Sequence, residues 1–203
     1  MSLEKKMTSR ELGLVLAQQL LDVEDLHYGL WDPDLELSLG NIALAQQRYT
    51  AMLLELIQSL LSGHPAPCIL DVGCGTGHIL QQLIERGYQV DAVNPSAHLN
   101  KLVHGRLAAL QPGSTTLYET TFESLPLEHC QHQYDLLLFS ESFQYIPLPD
   151  IFAMAPELLC SGGRLVICDF FKTAAHCDGG EGDRSFSGGH LLDEFYRCVE
   201  HSP

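Results

Sequence analysis

Cys68-Ile69-Leu70-Asp71-Val72-Gly73-Cys74-Gly75-Thr76-Gly77-His78 decides how this chain is read. An apolar run of strand length ends in three alternating glycines. A helical pattern from His78 to Arg86 follows at once, with Gly87 placed to cap it. Glycines let the backbone turn tightly and let a ligand come close to it, and a helix start presents unbonded N–H groups. The unit therefore reads as a nucleotide-type cofactor loop. No Gly-Lys-Ser/Thr follows, so it is not a Walker A loop, and the alternation of Gly73, Gly75 and Gly77 is not a GxGxxG spacing.

Downstream, strands and helices continue to alternate. Tyr88 to Val93, Thr115 to Glu119, Tyr134 to Phe139 and Arg164 to Phe170 read as strands. Ala97 to Leu110, Ile151 to Leu159 and Leu191 to Val199 read as helices, the second weakened in its later half by Pro156. Short apolar strands alternating with helices predict an α/β fold, a Rossmann-like doubly wound and mostly parallel sheet with helices on both faces. Ligands of such sheets sit at the carboxyl ends of the strands.

Upstream there is no strand. Thr8-Ser9-Arg10-Glu11 has capping-box form and predicts a helix over about 9–21. Asp22 to Gly40 is acidic and irregular. Ile42, Ala45, Tyr49, Met52, Leu53, Leu56, Ile57 and Leu60 then form one helical stripe over about 41–61. Residues 1–64 are expected as a helical lid or appendage and 65–203 as the Rossmann-like cofactor-binding domain. The stretch from Thr173 to Gly189 reads as a glycine-rich loop.

Composition narrows the partners. Twenty-six acidic residues face eleven Lys and Arg, a net charge of −15 over 203 residues. Binding to a phosphate backbone or an anionic membrane needs a basic face, so neither is expected. No apolar run reaches the roughly 18 residues of a membrane span, and no signal-peptide core opens the chain. Seven cysteines without a CxxC pair predict reduced thiols and a cytoplasmic compartment.

Ile69-Leu70-Asp71-Val72-Gly73-Cys74-Gly75-Thr76-Gly77 resembles the first motif of the class I S-adenosylmethionine-dependent methyltransferases. Val93-Asn94-Pro95-Ser96, Phe122-Glu123-Ser124-Leu125-Pro126, Tyr134-Asp135-Leu136 to Tyr145-Ile146-Pro147, and Leu158-Leu159 to Gly162-Gly163-Arg164-Leu165 continue the likeness in order over about 67–170. Leu26-His27-Tyr28-Gly29-Leu30-Trp31 is similar to a segment preceding the sheet in the small-molecule branch, whose sterol, tocopherol and sarcosine methyltransferases close their pocket with it. The resemblance implies S-adenosylmethionine as cofactor, S-adenosylhomocysteine as product and a small-molecule acceptor. It implies Asp71 at the amino acid end of the cofactor, Gly73, Cys74 and Gly75 packed along it, and the Ser140 carbonyl offered to its ammonium. Phe122 and Glu123 fall beside the adenine, and Tyr28 over the methionine end. As acceptor-side catalytic residues it points to Tyr145 and His27, with Glu141 weighed beside them.

Two departures stand out. Where the family carries a ribose-binding acid after its second strand, this chain has Asn94, which can still accept one hydrogen bond but without charge. Asp91 is offset by three residues onto the other strand face. Only about thirty residues follow Phe171, so the last two strands of the family's sheet are expected to be missing. That leaves strand five, Leu165-Val166-Ile167-Cys168, as an apolar edge open to a homodimer contact, or makes the chain a fragment of a longer protein. Cys168-Asp169 and His176-Cys177 lack a four-ligand spacing, so no metal is expected. A catalytically silent domain for cofactor sensing or assembly remains the alternative to an enzyme. A nicotinamide oxidoreductase is disfavoured by Asn94 and the alternating glycines.

Overall fold

The computed structural model describes residues 20, 23–110, 115–173 and 189–202. The helix expected over 9–21 and most of the loop expected over 173–189 lie outside the described residues. Five parallel strands form one sheet: β1 (Cys68–Val72), β2 (Gln89–Val93), β3 (Leu117–Tyr118), β4 (Tyr134–Ser140) and β5 (Leu159–Cys168). Their order is β3-β2-β1-β4-β5, so the chain reverses direction across the sheet between β1 and β4. That reversal opens a crevice at the carboxyl ends of β1 and β4, where the glycine loop lies.

The strands form because both of their faces are covered. Ile69, Val90, Ala92, Leu136 and Leu138 point to one face, against α1 (Ile42–Leu60), α2 (His78–Glu85) and α3 (Ala97–Leu110). Leu70, Val72, Val93, Leu137 and Phe139 point to the other, against α4 (Leu127–Cys130) and α5 (Leu148–Leu158). α1 belongs to this core: Ala45, Tyr49, Leu53 and Ile57 recur every fourth residue, form one stripe and are all buried. The region expected as a lid thus supplies a structural helix, while residues 23–31 run over the strand ends.

Several boundaries moved for identifiable reasons. β3 is two residues long because the Thr116 N–H goes to the Asp91 carboxylate at 2.7 Å. The same carboxylate accepts the Tyr134 hydroxyl, so Asp91 is committed to the sheet edge. α5 starts at Leu148 because Pro147 and Pro149 suit a first turn that needs no N–H donor, and it runs through Pro156 to Leu158. β5 starts five residues early, at Leu159, pairing with Tyr134 before a bulge and resuming at Arg164 opposite Leu136. Among the described residues nothing pairs with the outer side of β5. Phe171–Lys172 (β6) and His190–Leu191 (β7) make a separate two-stranded ladder, and α6 (Leu192–Glu200) packs Phe195 against Phe143, Phe152 and Phe171.

Candidate cofactor and acceptor site

The glycine loop is shaped by contacts that exclude side chains. Gly73 has φ +74°, and a Cβ there would lie 2.6 Å from the Ser142 Cβ. The Ser142 hydroxyl donates to the Val72 carbonyl, which draws the turn after β4 against the loop after β1. Gly75 has φ +57° but open space, with only Leu26 Cδ1 at 3.8 Å from a Cβ. Beneath the loop, Asp71 is 2% exposed and its Oδ2 has no hydrogen-bond partner. Burial, with Asp25 nearby, raises its carboxyl to about 7.

Residues 23–31 cross the loop and are fastened at both ends. The Thr76 hydroxyl donates to the Glu24 carbonyl at 2.7 Å. Asp25 meets His78 Nδ1 at 2.7 Å and His27 Nε2 at 3.4 Å, and accepts from Thr50 at 3.4 Å. Burial alone would raise the Asp25 carboxyl, but the bonds from His27 and His78 outweigh it and hold it well below the usual range. His78 is raised in turn, chiefly by its bond to Asp25. Gln46 on α1 donates to the Asp25 and His27 carbonyls. At the far end the Tyr28 N–H donates to both Glu141 oxygens, at 3.1 and 3.2 Å.

The structure distributes the expected site residues unequally. Asp71, Gly73, Gly75, Asn94, Ser140 and Tyr28 come together around the carboxyl ends of β1, β2 and β4. Asn94 is buried and already engaged: its Nδ2 donates to the Gly75 carbonyl at 3.2 Å and its Oδ1 accepts from the Ser96 N–H at 3.4 Å. Tyr49 donates to the Cys168 carbonyl, and its oxygen meets the Ser140 hydroxyl at 3.0 Å. The Cys74 side chain is in the core, where burial pushes its thiol far up, so only its backbone faces the loop. The Phe122 ring is likewise in the core, edge-on to Phe139 at 5.5 Å, while Glu123 is exposed. Within this strap of residues 23–31, His27 is buried, stacked on Tyr49 at 4.1 Å with Nδ1 unpartnered. Tyr145 is 54% exposed on the turn after β4.

Asp25 escaped sequence reading, since it carries no motif and its partner His78, read at the start of the glycine-loop helix, lies 53 residues away. Glu141, adjacent to the strand end, has φ +52°, a left-handed conformation rare for a side chain of its length. Burial, with Asp169 adding to it, raises its carboxyl to about 7. Tyr28 and Phe170, both about half exposed, meet edge to face at 5.4 Å beside it. A separate cleft of about 270 Å³, lined by His64, Asp135 and Arg164 among others, contains no residue of the glycine loop.

Comparison with known proteins finds mainly methyltransferases. Residues 69–163 match the family model described as a methyltransferase domain. A ubiquinone biosynthesis O-methyltransferase of Nitrosomonas europaea is 26% identical over 157 residues, 76% of this chain and 61% of that protein. The corresponding enzyme of Idiomarina loihiensis is 27% identical over 144 residues, 70% of this chain and 54% of its own length. The chain thus spans less than two thirds of these relatives. Among solved structures, geranyl diphosphate methyltransferase in complex with GPP and sinefungin superposes with TM-score 0.74 at 20% identity, over 93% of this chain and 74% of that one. A putative sarcosine dimethylglycine methyltransferase from Galdieria sulphuraria gives 0.70 at 20% identity, over 92% and 71%. By its sheet order, its glycine loop and the matched segment, the chain has a Rossmann-like fold and resembles the class I S-adenosylmethionine-dependent methyltransferases.

Proposed function

We propose that this protein transfers a methyl group from S-adenosylmethionine to a small-molecule acceptor. The observation that carries this reading is the buried Asp71 carboxyl, whose Oδ2 lacks a partner beneath a loop that leaves its backbone bare. A buried polar atom without a bond is expensive, and an ammonium donor is the partner it suits. The residues present therefore fit the cofactor: Asp71 and the Ser140 carbonyl for its amino acid end, Gly73 and Gly75 along it, Asn94 for its ribose, and Tyr28 closing over it. Bound there, S-adenosylmethionine supplies an electrophilic methyl on a sulfonium cation. The chain's own part is to orient that cation, exclude water and hold the acceptor in line.

The acidic surface favours a small molecule over nucleic acid as acceptor. Among the described residues no helix is long and apolar enough to cross a membrane, and we place the protein in the cytoplasm on its unpaired cysteine pattern. The open edge of β5 is proposed as a contact between two copies. Calorimetric titration with S-adenosylmethionine and with S-adenosylhomocysteine tests the cofactor reading. Micromolar binding is expected, and absence of binding in folded protein would overturn it.

A further inference from the structure

We propose that Glu141 takes the proton released by the acceptor, and that the site suits acceptors with an apolar or aromatic body and a protic O–H or N–H. The inference rests on the methyltransferase reading and names the substrate class of that site. It is carried by geometry. Glu141 is the first residue beyond β4, at the carboxyl end of the sheet, and its neighbour Ser142 packs on the glycine loop. Its left-handed backbone is held by its own N–H on the Cys168 carbonyl at 2.8 Å. Strain of this kind persists where the surrounding structure fixes a side chain's direction.

The carboxylate is underused. Both oxygens share one donor, the Tyr28 N–H, and among the described residues no Lys, Arg or His pairs with it. Around it, Tyr28 offers the rim of the strap, Phe170 and Asp169 follow β5, and Cys168 and Tyr49 lie behind. Asp169 is bonded to the N–H groups of Gln144 and Phe170 and repels charge on Glu141, while burial raises its own carboxyl as well. Burial and that repulsion raise Glu141 to about 7, near the working pH where a general base is most effective. The half-exposed rings of Tyr28 and Phe170 offer an apolar rim to the acceptor's body.

The proton balance closes on this residue. The acceptor's O–H or N–H bond breaks and the proton bonds to a Glu141 oxygen, leaving a neutral carboxylic acid. The electron pair released on the heteroatom forms the new bond to the methyl carbon. The pair of the cleaved carbon–sulfur bond stays on sulfur, and Glu141 later returns the proton to solvent.

Glu141→Gln separates a proton acceptor from a mere clamp, because its amide oxygen still accepts the Tyr28 N–H but cannot take a proton. The probes are 4-propylcatechol and N-methylphenethylamine, with fully O-methylated 4-propylcatechol as the aprotic control. In the wild type, methylation of a protic probe is expected to rise through an acid limb near pH 7. In the variant that limb vanishes and kcat/KM falls by about 100-fold, while S-adenosylhomocysteine affinity stays within about twofold. Independently of any acceptor, the Tyr28 amide resonance should titrate near pH 7 in the wild type and not in the variant. The proposal is overturned if the variant keeps its rate and acid limb, or if the Tyr28 amide does not titrate. It is also overturned if only the aprotic compound reacts, or if neither protic probe turns over in protein that binds S-adenosylhomocysteine. Loss of S-adenosylhomocysteine binding in the wild type would instead remove the methyltransferase reading itself, and this proposal with it.

Discussion

Cofactor binding should be coupled to proton release from Asp71. The carboxyl is fully buried, shares its surroundings with Asp25, and is raised by that burial to about 7. An ammonium arriving at the free Oδ2 needs the ionised form. With a midpoint of about 7, about a tenth of the protein is ionised at pH 6 and about nine tenths at pH 8. S-adenosylhomocysteine should therefore bind about tenfold tighter at pH 8 than at pH 6, or about 1.4 kcal/mol. The sign of stability agrees. A carboxyl raised in the fold makes a contribution that is complete below its unfolded value of 3.8 and is lost as pH rises through about 7. The free protein should lose thermal stability across that window, and the melting shift caused by ligand should grow across it. The assay is titration calorimetry in phosphate and in Tris, whose different ionisation heats report protons released. Glu141 titrates in the same range, so Asp71→Asn must flatten the affinity profile while Glu141→Gln leaves it. A flat wild-type profile, or an unchanged slope in Asp71→Asn, refutes the reasoning.

Gly73→Ala combines positive φ with a 2.6 Å clash against Ser142, and should lower stability by about 2–3 kcal/mol. Gly75→Ala has room and should lose only about 1 kcal/mol. Equal melting temperatures for the two variants would contradict the packing argument. Asn94→Asp removes the bond to the Gly75 carbonyl, lowering the stability of the free protein by about 1–2 kcal/mol. It should tighten S-adenosylhomocysteine by about fivefold through a charged acceptor for the ribose, and an unchanged or weaker affinity would remove Asn94 from the cofactor site. Light scattering should find a dimer that Leu165→Lys, on the exposed edge of β5, returns to monomer, whereas a wild-type monomer at every concentration would remove the edge contact.

What was legible in the sequence depended on how local its cause was. Strands β1 and β4 were readable because parallel strands buried on both faces must be apolar throughout. The turn after β1 was readable because positive φ at Gly73 and Gly75 demands glycine there. β3 read too long because the amide of Thr116 answers to Asp91, 25 residues away, rather than to its ladder. β6 and β7 left no local trace, since each is a two-residue strand whose partner is distant in sequence. Alignment with a motif located the segment at Phe122 but not the direction of its ring, which the turn over Phe122–Ser124 sends into the core. The pairing of Tyr28 with Glu141 spans 113 residues and is made by a backbone donor, which no side-chain pattern announces.

Asp71 and Glu141, both at this end of the sheet, have similar affinity for protons but are proposed for opposite tasks. Asp25 is kept ionised by two histidines, which leaves Asp71 and Glu141 without a cation of their own among the described residues. Burial moves both toward neutrality, so each is poised to change charge near pH 7. In the proposed mechanism a cationic ligand draws the proton off Asp71 on binding, whereas the acceptor gives one to Glu141 on reaction. Raising the pH therefore helps both steps, but through different residues and in different measurements: affinity for S-adenosylhomocysteine answers to Asp71, and turnover at saturating cofactor answers to Glu141. If one substitution abolished both pH dependences, the two acids would be a single coupled site, and the division of labour between cofactor and acceptor would fail.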